Sequence, residues 1–397
     1  MDPVFLKVLV GTTLLAASSS VVGAFSYLKG QSLVGDAIAH ALLPGVVLAF
    51  ILGGVRSTSL LIFGALISGL LAHYGIGYIA NKTKLKSDTA VSLVLSTFFG
   101  FGIMLMSYIQ RTGQGQQAGL ERFLLGKAAA ITMQDVYVFS TLAIVLIIGV
   151  SLFYKGFQLM TFNEDFAHAI GLPMPLIRFT FTVLTVLAIT IGIQTVGVVL
   201  MAALLITPSA AARVWTNSLP TMLALAAFFA GISAVFGTYI SSLIPKMPTG
   251  PWVVLILSFF GFSSLLFAPK KGWFSKRRRA RINQRKTIRE NVLKLLFQQE
   301  EQNGMPSVLS VVEILRIRAM PSDSLTTTIK GLKKRMLIVD YGDRYALTEL
   351  GRSEGRRVVR LHRLWELYLT ERLGMAADHI HPQAETMEHV ITPEIEE

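Results

Sequence analysis

The feature that most constrains this chain is a series of apolar runs, each long enough to cross the hydrocarbon core of a bilayer. A helix that crosses this core needs about 20 predominantly apolar residues. We interpret nine runs as membrane spans, near residues 4–27, 33–53, 57–80, 89–110, 133–154, 174–192, 195–214, 219–243 and 251–268. Several runs are separated by only a few residues, so eight or ten spans are open alternatives. The pattern predicts an all-α polytopic membrane domain.

The charged residues divide the chain into two parts of different character. Residues 1–269 hold 20 of the 61 Lys, Arg, Asp and Glu side chains, and residues 270–397 hold the other 41. This division predicts a membrane domain over 1–269, followed by soluble structure. Within the second part we expect a basic linker over 270–286, a winged-helix domain over 287–350 and a helical metal-binding segment over 351–397.

The basic segment after the last span also predicts the orientation of the chain. Residues 270–289 contain ten Lys and Arg and no acidic residue. Positive charge next to a span favours the cytoplasmic side of the membrane. We therefore expect a multi-pass protein of the cell (inner) membrane whose C-terminal domain is cytoplasmic.

Ionisable side chains inside a membrane span are costly, and they are therefore candidates for function. The second span contains Asp36 and His40, which are four residues apart and lie on one face of a helix. A carboxylate and an imidazole one turn apart can contact the same divalent cation. On spacing alone, an ion site and an Asp–His pair that only packs helices are equally good interpretations.

The sequence around this pair, QSLVGDAIAHALLPG at residues 31–45, resembles the signature of the metal-specific ABC permeases. These are the manganese, zinc and iron importers that receive their metal from an extracytoplasmic binding protein. Residues 163–173, 196–208 and 248–251 agree with the same family and in the same order. The resemblance covers about the whole of the membrane domain.

Membership of this family would assign roles to five residues. The resemblance implies that Asp36 and His40 line the ion path. It also implies that the polar loop at 163–173 is a cytoplasmic helix that docks on an ATPase, with Glu164, Asp165 and Gly171 as coupling residues. The transported ion would be Mn²⁺ first, with Fe²⁺ or Zn²⁺ as alternatives.

The chain is not expected to be an enzyme. Its sequence contains no Gly-x-x-x-x-Gly-Lys-Ser/Thr phosphate loop. ATP hydrolysis is therefore expected in a separate ATPase subunit. The other partners that the resemblance implies are an extracytoplasmic metal-binding protein and a second permease copy or paralogue, and membrane lipid surrounds the spans.

Residues 287–350 predict a winged helix. Apolar residues recur at helical spacing over 287–299 and 308–317, and a third helix is expected from Pro321 to Met336. The third helix carries the short polar and basic side chains that suit DNA recognition: Ser324, Thr326, Thr327, Thr328 and Lys330. Residues 337–348 predict a hairpin whose turn forms the wing. A winged helix used only for protein contacts is the alternative, because fold alone does not establish DNA binding.

The segment after the wing carries imidazole and carboxylate groups at helical spacing. They are His362, Glu366, His381, Glu385, Glu388 and His389. Such ligands suit manganese or ferrous iron better than copper, and the chain has no cysteine. Charges at this spacing are often only a solvated face, but three histidines and three carboxylates on two successive helices favour a metal site.

This segment resembles the metal-dependent repressors of the diphtheria-toxin-repressor and manganese-transport-regulator family. The resemblance implies two metal positions, one formed by His362, Glu366 and His381 and the other by Glu385, Glu388 and His389. Glu385 stands where iron-responsive members have cysteine, which marks the manganese-responsive branch. Two departures are Asn291 and Lys294, which stand where the first helix of the family supplies ligands. We also expect a truncated dimerisation helix.

The two resemblances leave three hypotheses for the protein. The first is the membrane subunit of a metal importer, and the second is a metal-dependent repressor attached to the membrane. The third is a cytosolic metal sensor that regulates the permease and does not touch DNA. Mn²⁺, or Fe²⁺ or Zn²⁺, would be both the transported substrate and the ligand of the sensor.

Overall fold

A computed structural model describes residues 3–53, 58–111, 132–243, 247 and 249–371. The chain divides into two compact units, Met1–Ser275 and Lys276–Glu397. We call the first the membrane unit and the second the soluble unit.

The described part of the membrane unit is helical. Its helices are α1 (Pro3–Leu28), α2 (Ser32–Gly53), α3 (Thr58–Lys82), α4 (Ser87–Arg111), α5 (Met133–Leu152), α6 (Tyr154–Phe162), α7 (Glu164–Ala169), α8 (Met174–Val196), α9 (Val198–Arg213), α10 (Leu219–Leu243) and α11 (Thr249–Phe267). Among the described residues, eight helices are long and apolar enough to cross a membrane. The predicted all-α polytopic architecture is confirmed.

The span expected near residues 195–214 differs from the other eight. Its helix, α9, has 16 residues, which extend about 24 Å and fall short of the ~30 Å hydrocarbon core. Gly197 separates α8 from α9 with φ 84° and ψ 168°, a combination that essentially only glycine adopts. An apolar run does not reveal such a break, because glycine is also common inside continuous membrane helices.

Small residues set the distance between neighbouring membrane helices. A Cβ atom on Gly45 of α2 would lie 2.1 Å from the carbonyl oxygen of Gly64 on α3. A Cβ atom on Gly23 of α1 would lie 2.0 Å from the carbonyl oxygen of Leu205 on α9. The backbones therefore approach as closely as glycine allows, which is how membrane helices associate without a hydrophobic driving force.

Three aromatic rings lie in the core where α1, α6 and α8 meet. The ring of Phe157 is fully buried, with its centroid 5.6 Å from that of Phe25 and 5.5 Å from that of Phe181. Both pairs have the edge-to-face geometry that aromatic quadrupoles favour. This contact fixes α6, and therefore the start of the short helix α7, against the membrane helices.

The remaining helices and strands belong to the soluble unit, apart from the first turn of α12. They are α12 (Trp273–Asn303), β1 (Leu309–Ser310), α13 (Val311–Ile317), α14 (Ser322–Lys334), β2 (Ile338–Asp340), β3 (Arg344–Leu347) and α15 (Glu349–Glu371). The strands form an antiparallel sheet in the order β1-β3-β2. Residues from α12, α13, α14 and the hairpin share one apolar core. Three helices followed by a hairpin confirm the predicted winged helix.

The segment expected to be a linker, 270–286, is helical from Trp273 onwards. It forms the N-terminal half of α12. Lys and Arg are good helix formers, and no Gly or Pro occurs between Trp273 and Asn303 to interrupt the helix. Gly304, with φ 66°, then ends it.

The wing is a two-residue hairpin. The backbone N–H of Tyr341 donates to the carbonyl of Arg344 over 2.7 Å. Gly342 and Asp343 both have positive φ, 65° and 66°, which is the conformation that joins twisted antiparallel strands. The predicted wing is therefore present at the predicted turn.

We predict that Gly45→Ala destabilises the membrane unit, because the added methyl group would overlap the α3 backbone. Overpacking of this kind costs about 1–3 kcal/mol. Gly77→Ala on α3 is the matched control, since a Cβ at Gly77 meets nothing within 4 Å. Thermal unfolding of both variants in detergent measures the difference, and equal melting temperatures would contradict the predicted contact.

Candidate functional site

Asp36 and His40 lie on a partly open face of α2, a helix that is otherwise largely buried. His40 Nε2 is 3.8 Å from Asp36 Oδ1, and the two side chains are 34% and 43% exposed. The His40 ring packs edge-on against Phe99 of α4, with ring centroids 5.1 Å apart. The structure thus brings together the two residues that the spacing placed on one face. Phe99, which holds the imidazole, has no sequence signal that would have identified it.

The backbone of α2 is altered directly after this pair. Pro44 lies inside the helix and has no N–H to donate to the carbonyl of His40. Ser68 of α3 donates its hydroxyl to the next carbonyl, that of Ala41, over 2.6 Å. Helix α2 is therefore held by a neighbouring helix at the position where its own hydrogen-bond ladder is interrupted.

Two donors do not make a complete metal site. Transition-metal and other divalent cations take four or more ligands. Among the described residues, no group of three or more His, Asp or Glu side chains is placed to hold a metal ion. Asp36 and His40 alone therefore supply two of the ligands that such a cation needs.

The loop expected to couple to an ATPase forms the short helix α7. Asn163 caps it by accepting a 3.0 Å hydrogen bond from the backbone N–H of Phe166. Ala167 is buried, whereas Asp165 is exposed. Gly171, with φ 78°, turns the chain towards α8. The predicted coupling residues thus lie on or next to a short, partly exposed helix.

Two apolar residues on α7 and just after it were not anticipated. Phe166 and Ile170 are four residues apart and are 51% and 52% exposed. Residues at this spacing share one helix face. They add an apolar contact surface to the charged residues that the sequence indicated.

Glu164 connects α7 to the rest of the membrane unit through an ion pair with Arg178 of α8. Arg178 Nη2 also lies 3.4 Å from His168 Nε2. Lys29 lies at the turn between α1 and α2, and burial lowers the pKa of its ammonium group. The negative charge of Glu164 opposes this shift, and the positive charge of Arg178 adds to it. Charges on α7, α8 and the turn before α2 therefore form one cluster, and no sequence motif had indicated the contribution of Lys29 or Arg178.

In the soluble unit, His362 and Glu366 of α15 come together. His362 is 3% exposed, and its Nε2 lies 3.1 Å from Glu366 Oε1. The other four predicted ligands, His381, Glu385, Glu388 and His389, lie outside the described residues. The described residues thus contain one His–Glu pair of the predicted sensor.

The helix expected to recognise DNA, α14, presents only some of its predicted contacts. Thr326, Thr327 and Lys330 are exposed and Ser324 is half-buried. Thr328 is 8% exposed and donates its hydroxyl to the carbonyl of Ser324 over 2.7 Å. Helical periodicity turns Thr328 towards the core, which does not favour it as a DNA contact.

The wing is braced against α14 by an ion pair. Lys333 Nζ lies 2.5 Å from Asp340 Oδ2. This contact lowers the pKa of the Asp340 carboxyl and raises that of the Lys333 ammonium. Lys333 is thus directed to the wing, whereas Lys330 on the same helix remains available for an external contact.

Comparison with known proteins identifies the two parts of the chain. Residues 1–268 match the model of the ABC 3 transport family. The chain belongs to this family. Residues 348–397 match a second model, that of the iron dependent repressor, metal binding and dimerisation domain. This ABC 3 family member is thus a multi-pass membrane permease with a repressor-like C-terminal domain.

Curated relatives resemble this ABC 3 permease over most of its length. The manganese transport system membrane protein MntC of Bacillus subtilis is 38% identical over 371 residues, which cover 93% of this chain and 85% of the relative. The zinc transport system membrane protein TroC of Treponema pallidum is 42% identical over 266 residues, which cover 67% of this chain and 89% of the relative.

A solved structure supports the fold of the membrane unit. PsaBC from Streptococcus pneumoniae in complex with Fab contains a chain that matches with a TM-score of 0.61 and 31% identity. The match covers 70% of this chain and 96% of the other.

Proposed function

We propose that this chain is the permease subunit of an ABC importer for divalent transition metals, with Mn²⁺ as the main substrate and Fe²⁺ and Zn²⁺ as alternatives. The observation that carries the proposal is the Asp36–His40 pair, on a partly open face of a membrane helix. The manganese and zinc systems in which similar membrane proteins occur support the metal class.

The chemistry of the pair supports a transition-metal substrate. Carboxylate and imidazole groups without sulfur suit manganese, ferrous iron and zinc. The described residues of one copy offer two protein donors, so a second permease copy or a paralogue facing the first would bring the number to four. A site built from few ligands on movable helices binds an ion without retaining it, as transport requires.

The mechanism that this geometry supports is alternating access. An extracytoplasmic binding protein delivers the ion to the membrane unit, and a separate ATPase subunit moves α7 from the cytoplasmic side. Helix α2 then exposes Asp36 and His40 to the opposite side. In this arrangement the C-terminal domain is cytoplasmic, as is the ATPase.

We predict that Asp36→Asn and His40→Ala each lower metal uptake by at least roughly 10–100-fold. The first replaces an anionic carboxylate by a neutral amide oxygen, and the second removes the imidazole. Uptake of radioactive Mn²⁺ into cells or proteoliposomes measures the effect. Asp88→Asn is the control, since Asp88 is an exposed carboxylate in the first turn of α4. Normal uptake by both site variants, at normal expression, would remove the pair from the ion path.

Coupling to the ATPase would pass through α7, with Glu164, Asp165 and Gly171 in the roles expected from the sequence. The Glu164–Arg178 ion pair supports this proposal, because it ties the exposed helix to a membrane helix. Lys29 belongs to the same cluster of charges and precedes α2 by only a short turn. A displacement of α7 would therefore act on the helix that carries Asp36 and His40.

We predict that Glu164→Arg and Arg178→Glu each reduce the metal imported per ATP hydrolysed by roughly tenfold, because each places like charges in contact. The double exchange restores the attraction and should recover most of the coupling. Lys155→Glu, a charge reversal at an exposed position of α6, serves as the control. Uptake and ATP hydrolysis are measured together in proteoliposomes that contain the ATPase subunit. Failure of the double exchange to improve on either single variant would contradict the coupling role.

We further propose that the C-terminal domain senses the transported metal and regulates through a repressor-like module. Its match to a metal-binding repressor domain and the His362–Glu366 pair support sensing. The exposed Thr326, Thr327 and Lys330 support DNA as the target. The alternative is a sensor that acts on the permease and does not bind DNA.

A binding measurement separates these two forms of regulation. With the full chain in nanodiscs, we predict that Mn²⁺ increases affinity for the promoter of its own operon. Lys330→Ala should weaken this binding, whereas Arg316→Ala, at an exposed position of α13, should not. His362→Ala should abolish the effect of Mn²⁺. If the chain does not bind the promoter, or binds it equally with and without Mn²⁺, regulation of the permease would remain as the function of the domain.

A further inference from the structure

The N-terminal half of α12 is an exposed helical segment rich in Lys and Arg. Every residue from Lys276 to Arg285 is exposed to solvent. The sequence contains no Asp or Glu between Trp273 and Arg289. This segment therefore presents positive charge without compensating carboxylates of its own.

The cations surround the helix instead of lining one side. At 100° per residue, Lys276, Arg278, Arg279 and Arg281 point in four different directions. Like charges on neighbouring turns of this helix repel one another and weaken it. A layer of negative charge that can reach all sides of the helix would remove this repulsion.

The segment follows directly from the last membrane helix. Helix α11 ends at Phe267, and the aromatic rings of Phe267, Trp273 and Phe274 form an exposed cluster. The centroid of Phe274 lies 5.4 Å from that of Phe267 and 4.9 Å from that of Trp273. Aromatic side chains of this kind gather at the boundary between hydrocarbon and headgroups.

We propose that residues 276–285 of α12 form a binding surface for anionic phospholipid headgroups of the leaflet in which α11 ends. Clusters of Lys and Arg immediately after a span are attracted to anionic lipids. Covalent connection to α11 keeps these phosphates at high effective concentration. The all-round distribution of the cations also favours a diffuse headgroup layer over a DNA groove, which a helix reads with one face.

This binding is electrostatic, which distinguishes it from insertion of an amphipathic helix. Between Lys276 and Arg285 the only large apolar side chain is Ile282, so there is no apolar stripe to enter the membrane. Each cation near the surface contributes about a fivefold factor to the ratio of bound to free segment. The interaction is therefore expected to disappear as salt screens the charges.

The absence of cysteine from the chain permits a direct test. Ala280→Cys places a single environment-sensitive fluorophore in the middle of the segment of the full chain. The labelled protein is placed in nanodiscs of phosphatidylcholine alone or mixed with phosphatidylglycerol, with a headgroup-linked quencher. We expect quenching only with the anionic lipid and its loss as NaCl is raised.

Two triple variants, each of which loses three positive charges, test whether residues 276–285 themselves cause the quenching by anionic lipid. We expect the first variant to lower the bound-to-free ratio on the order of 100-fold; it combines Arg278→Gln, Arg279→Gln and Arg281→Gln. The salt midpoint, which is the NaCl concentration at which half of the quenching is lost, should also fall. Arg316→Gln, Lys334→Gln and Arg335→Gln remove three exposed cations elsewhere in the soluble unit and should leave the midpoint unchanged.

The remaining outcomes would overturn the proposal. Equal quenching with and without phosphatidylglycerol would rule out recognition of anionic headgroups by this segment. An equal loss of quenching in both triple variants would rule it out as well. Inorganic phosphate at millimolar concentration should not displace the segment, and displacement would indicate a site for free phosphate. If duplex DNA, but not phosphatidylglycerol, changes the probe signal, the surface binds nucleic acid instead.

Discussion

The hydrocarbon core of a bilayer offers no water to solvate a charge. The position of charged and polar side chains in the membrane unit is therefore restricted. Helix α2 carries a carboxylate and an imidazole, Asp36 and His40, inside a segment of otherwise apolar side chains. Their face is partly open while the rest of the helix is buried. An open polar face on a buried helix is stable only where it meets water, an ion or another chain. The same constraint therefore limits where such a polar face can lie in the fold.

Close backbone contact makes this arrangement possible. Gly45 of α2 lies against Gly64 of α3, and Ser68 of α3 supports α2 where Pro44 interrupts its hydrogen bonds. The polar residues are thus held on a helix that is tightly packed on one side and open on the other. At one edge of the unit, Glu164 and its neighbouring charges connect this helix bundle to α7. The Glu164–Arg178 ion pair thus links the short helix α7 to the membrane helix α8.

Much of this organisation could be predicted from local sequence patterns. The apolar runs predicted the spans, and their spacing placed Asp36 and His40 on one face. Other features depended on three-dimensional context. Thr328 suits DNA recognition by composition, but only packing reveals that it faces the core of the soluble unit. The basic residues after the last span resemble a linker by composition, yet uninterrupted helix formers extend α12 through them.

Sequence alone determined that the chain crosses the membrane many times, belongs with metal permeases and carries a repressor-like tail, because hydropathy and motif spacing are local properties. Only the tertiary structure decided which partners those residues meet. It placed Phe99 against His40, paired Arg178 with Glu164 and left Phe166 exposed on α7. Contacts between residues distant in the chain depend on how helices pack, and a single sequence does not encode that packing in any local pattern.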